Sequence, residues 1–106
     1  MEKKIAKESD NDTYIRFFRA LANEERIEII KLLRKHKELA AQEVEKHFFL
    51  EQSTTSHHLN TLRRVGITRA RKEGRNIYYS VDQESFKRIW DTIGTSLVDG
   101  QDNLFL

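Results

Sequence analysis

Residues 51–66 read EQSTTSHHLNTLRRVG and set two adjacent imidazoles, His57 and His58, behind Ser53, Thr54, Thr55 and Ser56. Such groups serve three kinds of chemistry: metal chelation, nucleophilic catalysis by a hydroxyl–imidazole pair, and recognition of polar edges on a ligand. Spacing separates them. Helical side chains turn by about 100° per residue, so His57 and His58 diverge, whereas a chelating histidine pair needs i, i+3 or i, i+4 spacing to converge on one ion. Ser56 beside His57 is neighbour placement rather than a hydrogen-bonded catalytic pair, and no glycine-rich phosphate loop or triad accompanies it. An enzyme is therefore the weakest reading, and no cofactor is expected.

Recognition fits better. On a helix capped by Ser53 and stopping before Gly66, Thr55, His58, Leu59 and Leu62 share one side, and the two leucines make it the buried side. Ser53, His57, Asn60 and Arg64 share the other. Short polar groups near the N-terminus, here Gln52, Ser53, Thr54, Ser56 and His57, are what allow a helix to approach the major groove of DNA. The N-terminus itself also favours phosphate. On this reading His58 is a partly buried histidine with a local hydrogen bond.

The elements that must hold this helix are also readable. Tyr14, Phe17, Phe18 and Leu21 recur at i, i+3, i+4 and i+7, which predicts an amphipathic first helix. Asn23 caps a second helix, with Glu24 and Glu25 in its first turn and Arg34, Lys35 and Lys37 at its end, matching the helix dipole. A short third helix spans about Ala41 to Phe48, with Val44 and Phe48 inward, and the FLEQ stretch turns it into the fourth, giving a helix-turn-helix. The runs ITRARK and NIYYSV, joined around EGRN, predict a hairpin. A last helix carries Phe86, Ile89, Trp90, Ile93 and Leu97 on one stripe. The expected organisation is a polar N-terminal segment over 1–12, one domain over 13–98 and a polar tail over 99–106.

Composition supports this frame. The chain has 106 residues, enough for one domain, and it has no cysteine, which removes disulfides, thiolate metal sites and thiol switches together. No apolar run approaches the roughly 18 residues of a membrane span and no secretory signal opens the chain, so the cytoplasm is the expected location. The net charge is only +2, but Arg63, Arg64, Arg69, Arg71, Lys72 and Arg75 face a single acid, Glu73, within one short stretch. That concentrates positive potential around the hairpin.

Three blocks, FFRALANEERIEIIKLL, EQSTTSHHLNTLRRVGI and ITRARKEGRNIYYSV, resemble successive parts of the ArsR/SmtB family of winged helix-turn-helix repressors, over about residues 14 to 98. The resemblance implies a fold that is mainly α with a two-stranded β wing: four helices, the hairpin, then a fifth helix. It implies a bacterial or archaeal homodimer that binds double-stranded DNA at an inverted-repeat operator and leaves it when an inducer binds. It makes Gln52, Ser53, Ser56 and His57 the major-groove readers and Arg75, at the wing tip, the minor-groove or phosphate contact. Thr54, Asn60, Arg64, Arg71 and Lys72 complete the expected DNA-facing set.

The family's usual sensors do not carry over. Where many members hold a cysteine pair, this chain reads ELAAQEV, so Leu39, Ala40 and Ala41 offer no thiolate. The second common site falls on Gln83, Ser85, Ser96 and Asp99, one carboxylate where tetrahedral zinc needs four strong ligands. No metal site is expected, although His36 and His47 can in principle join carboxylates in an unusual one. Dimerisation has its own argument: Tyr14, Phe17, Phe18 and Leu21 with Phe86, Ile89, Trp90, Ile93 and Leu97 form two apolar stripes that packing within and between subunits would cover. The rival readings are a winged-helix module for protein contacts, or a regulator answering to a small molecule or protein partner.

Overall fold

Each element begins and ends where the chain supplies a physical reason. The computed structural model describes the backbone of residues 3–100 and the side chains of residues 11–100. Helix α1 runs Lys3–Leu21, starting well before residue 13, so most of the expected polar lead is helical backbone; its lysine, alanine and glutamate content favours helix intrinsically. Residues 1–2, and 101–106 of the expected tail, lie outside the described residues. Helix α2 (Glu24–His36) is capped as expected, the Asn23 side chain accepting from the Arg26 N–H at 3.0 Å. Past its end Lys37 adopts φ 69°, ψ −50°, and the Glu38 N–H donates to the His36 carbonyl at 2.7 Å. This is a γ-turn of the rare positive-φ kind.

That turn delivers Leu39–Ala40 as a short strand, β1, an element beyond the hairpin expected from sequence. Helix α3 (Ala41–Phe48) follows, its first turn tied by the Ala40 N–H donating to Glu43 Oε1 at 2.8 Å. Helix α4 is Gln52–Arg64. Ser53 does not cap it: Glu51 takes the extended conformation that precedes the helix, without a side-chain cap bond, and Ser53 already lies in the first turn. The far end closes as a Schellman motif, with Ile67 N–H donating to the Leu62 carbonyl at 3.0 Å, Gly66 N–H to that of Arg63 at 3.1 Å, and Gly66 at φ +83°.

Strands β2 (Thr68–Glu73) and β3 (Asn76–Val81) pair antiparallel from Thr68↔Val81 to Glu73↔Asn76. This leaves Gly74 and Arg75 as a two-residue loop. Gly74 has φ 62° while Arg75 does not, which matches a II′ turn with glycine first. β1 adds to the other side of β3 through Leu39↔Tyr79 and Ala40↔Tyr78, so the sheet has three strands in the order β1-β3-β2, not two. The overall class is as expected, mainly helical with a winged helix-turn-helix arrangement. Helix α5 (Gln83–Leu97) starts at Asp82, whose carboxylate accepts from the Ser85 N–H at 3.1 Å.

One core joins these parts: Phe17 of α1, Ile29 and Leu33 of α2, Val44 of α3, Leu59 and Leu62 of α4, Ile67, Tyr79 of β3 and Ile93 of α5. The two aromatic stripes divide across its surface. Tyr14, Phe17 and Ile93 are buried inside the subunit, so they are not available as subunit contacts in the way the periodicity alone implied. Leu21, Phe86 and Ile89 are half-buried against the core. Phe17 holds the rings of Phe18, Phe86 and Trp90 at 5.8, 5.7 and 6.4 Å, yet Phe18, Trp90 and Leu97 remain 41, 54 and 61% exposed. Ile15 of α1 and Val98, just past the end of α5, are exposed too, so apolar surface is left uncovered along both terminal helices.

Candidate nucleic-acid interface

Helix α4 is amphipathic along the division read from its sequence. Thr55, His58, Leu59 and Leu62 are its buried residues, while Gln52, Ser53, Ser56 and His57 are exposed. Thr54 and Asn60 are half-buried at the margins. Four polar side chains are thus gathered on the N-terminal half of one helix, with α3 and the turn behind it. Because Glu51 makes no side-chain cap bond, its first-turn amides also lack that satisfaction and suit a phosphate oxygen.

His58 anchors this helix to α2. Only 5% exposed, it has Nδ1 at 3.2 Å from Arg26 Nη1 and Nε2 at 2.7 Å from Glu25 Oε1. A guanidinium can only donate, so Nδ1 accepts and Nε2–H donates to the carboxylate. The partners lie on a different helix, which corrects the expectation of a local bond; sequence offers no marker for a contact across 32 or 33 positions. Arg26 does more, donating through Nε to the Ala20 carbonyl at 2.7 Å and through Nη2 to that of Arg19 at 3.1 Å. One side chain therefore caps the end of α1 and holds the inner face of α4.

Arg64 sits apart from the N-terminal group. A helix rises about 1.5 Å per residue, which puts it roughly 18 Å from Gln52 along α4. There it lines a cavity of about 380 Å³ with Arg16, Arg19 and Arg26. In the wing, Lys72 and Arg75 are exposed, Arg75 in the tip loop.

Arg71 is engaged within the chain. Its Nε and Nη2 donate to the two carboxylate oxygens of Glu38 at 3.0 and 2.8 Å, Nη1 donates to Glu73, and the guanidinium lies over the Tyr78 ring at 4.9 Å. Two carboxylates and a ring leave it little unpaired charge for a phosphate, and Glu38 links the wing to the loop before β1. Glu38 was not legible as a partner, since nothing in the sequence places residues 38 and 71 together. The Arg71 hydrogen bond holds the Glu38 carboxyl below its ordinary value of 4.5, outweighing the opposing effect of burial. A carboxyl lowered in the folded state keeps its contribution above 4.5 and loses it only as pH falls through the lower folded value. The side-chain carboxyl carbon of Glu38 is accordingly expected to titrate with a midpoint below 4.5 when followed by NMR; a midpoint at pH 5 or higher contradicts this.

Among the described residues no group of three or more His, Cys, Asp or Glu is placed to hold a metal ion. His36 ends α2 and is exposed; His47 is exposed with its ring edge-on to Phe48 at 4.7 Å. Gln83, Ser85 and Ser96 lie on α5, and Asp99 just beyond it. Among the described residues no helix is long and apolar enough to cross a membrane.

Comparison with known proteins settles the family. Residues 23–69 match the model for bacterial regulatory proteins of the arsR family. The chain is 35% identical over 88 residues to the cadmium resistance transcriptional regulatory protein CadC homolog of Staphylococcus aureus, covering 83% of this chain and 72% of that one. The chain belongs to the ArsR family. A second relative, the transcriptional activator HlyU of Vibrio cholerae, is 34% identical over 87 residues, 82% of this chain and 74% of its own. The fold is similar to the solution structure of the homodimeric winged helix-turn-helix DNA-binding domain Mb0332 from Mycobacterium bovis, described as a possible ArsR-family regulator. That match has a TM-score of 0.70 at 28% identity and covers 91% of this chain and 86% of the other. As an ArsR-family protein this chain is a DNA-binding transcriptional regulator and not an enzyme.

Proposed function

We propose that this ArsR-family protein is a repressor that binds an inverted-repeat operator as a homodimer. The exposed polar flank of α4, opposite four buried residues, is the observation that carries the DNA-reading part. In this reading Gln52, Ser53, Ser56 and His57 face base edges in the major groove, with Thr54 and Asn60 at its margins. Arg75 and Lys72 reach the flanking backbone or minor groove, Arg64 contributes at long range, and Arg71 acts by holding the wing. The uncovered apolar surface of Ile15, Phe18, Trp90, Leu97 and Val98 supports a second copy as the partner. A two-fold dimer presents two reading helices, which match half-sites about one DNA turn apart. Repression needs nothing beyond occupancy of a promoter.

The signal that releases DNA is inferred to be something other than a thiolate-bound metal. The name of the Staphylococcus aureus relative points to cadmium resistance, but this chain has no cysteine with which to bind so soft an ion. A small molecule or protein partner remains as the inducer class, and a DNA regulator of this kind works in the cytoplasm.

Titration of genomic duplexes in a gel shift at several salt concentrations tests the docking. Arg75→Ala is expected to weaken binding to all sequences and to reduce the salt slope by about 1, whereas Gln52→Ala costs roughly tenfold in discrimination between operator and random DNA. Operator affinity untouched by either change refutes the docking.

A further inference from the structure

Phe49 occupies the turn between α3 and α4 in the left-handed region, at φ 54° and ψ 42°. It is the αL residue of a helix-ending motif, in which its own N–H is directed to the Glu45 carbonyl and the Leu50 N–H donates to the same oxygen at 3.0 Å. Glycine or asparagine fills such a position at little cost, while a bulky side chain there is an outlier. Folding gains nothing visible in return. Phe49 is 94% exposed, whereas its neighbour Phe48 packs against the core and Leu50 is half-buried. Among the described residues no aromatic ring stands against it.

Its position gives the ring a use. Phe49 lies just before the Glu51 cap of α4, at the end that carries Gln52 and Ser53, and it belongs to different elements from the apolar surface on α1 and α5. Two positions separate Phe49 from Glu51, so its backbone lies beside the N-terminus of α4 and its exposed ring is free to meet a ligand docked there. Along the base edges of the major groove, the C5-methyl of thymine is the apolar group available to such a side chain. We propose that Phe49 is a specificity-determining residue whose ring seats on a thymine methyl beside the bases faced by the N-terminal half of α4. A backbone strain retained at an exposed position is then explained by contact made only on DNA.

This rests on the DNA-reading role of α4, and the test keeps the two apart. A duplex is first selected from a random pool with the full-length wild-type protein, and each thymine in it is replaced singly by deoxyuridine, which removes only the methyl. Phe49→Gly is expected to melt at or above the wild-type temperature, since strain is relieved, while its affinity for the selected duplex falls about tenfold. Phe49→Leu, which keeps apolar bulk, retains most of the affinity. One thymine per half-site is expected to cost the wild type severalfold when its methyl is removed and to cost Phe49→Gly nothing. Wild-type affinity in Phe49→Gly, a lowered melting temperature, or equal methyl costs in both proteins at every position overturns the proposal while leaving the role of α4 intact. A wild-type protein that selects no duplex removes the role of α4 and this contact with it.

Discussion

Trp90→Asp is expected to sediment as a monomer and to bind operator about a hundredfold or more weakly, because the second half-site is no longer engaged from a tethered position. The change is suited to the question because Trp90 is 54% exposed, with its ring tilted against that of Phe17 at 6.4 Å. Covering an aromatic side chain contributes roughly 1.5–3 kcal/mol, and a carboxylate in its place must be desolvated, with both effects doubled by two-fold symmetry. Far-UV circular dichroism close to wild type shows that the subunit is intact. Ile93→Asp is a poor substitute, since Ile93 is buried in the core and a charge there unfolds the subunit itself. Unchanged sedimentation of Trp90→Asp moves the interface elsewhere.

Gly66→Ala is expected to lower the melting temperature by roughly 10 °C, a loss of about 2 kcal/mol. At φ +83° an L side chain is strained whatever room surrounds it, and the added Cβ lies 2.6 Å from Ser85 Oγ and 2.9 Å from Ile89 Cδ1. Ser85 can turn its hydroxyl away. Ile89 is half-buried against the core and gives less easily, and the backbone strain stays in either case. Differential scanning calorimetry at fixed protein concentration measures the shift. Gly74→Ala is the matched control: Gly74 also has positive φ but has nothing within 4 Å of the added atom, so a drop as large as that of Gly66→Ala assigns the effect to φ alone.

What could be read from the chain depended on the range of the interaction. The inward set Thr55, His58, Leu59 and Leu62 follows from helical period, and the Asn23 cap and the Gly74–Arg75 turn from local residue chemistry; all three recur in the structure. Ser53 looks like a cap because a serine near a helix start is a common one, while Glu51 supplies the preceding extended residue. β1 has two residues, too few to show a period, and exists because β3 offers it an edge. The aromatic stripes show which side of α1 and α5 is apolar, but not how far the core reaches up that side. Hence Phe17 and Phe18 look equivalent in sequence and differ in burial. Contacts such as Glu25–His58, Arg26–His58 and Glu38–Arg71 join residues more than thirty positions apart and leave no local trace. Phe49 leaves no trace either, since nothing about a phenylalanine in sequence marks a left-handed backbone; its φ of 54° belongs to the folded turn alone.

The bond set of Arg26 bears on operator architecture. One guanidinium is fastened to the Arg19 and Ala20 carbonyls and to His58, so the end of α1 and helix α4, the proposed reading helix, are braced against each other. A proposed dimer built on α1 and α5 then behaves as a caliper of set opening rather than two hands on a flexible wrist. Each base pair inserted between half-sites turns one of them by about a tenth of a revolution around the duplex. A protein so braced has little give to follow that rotation, so spacer length becomes as much a part of its address as the bases themselves.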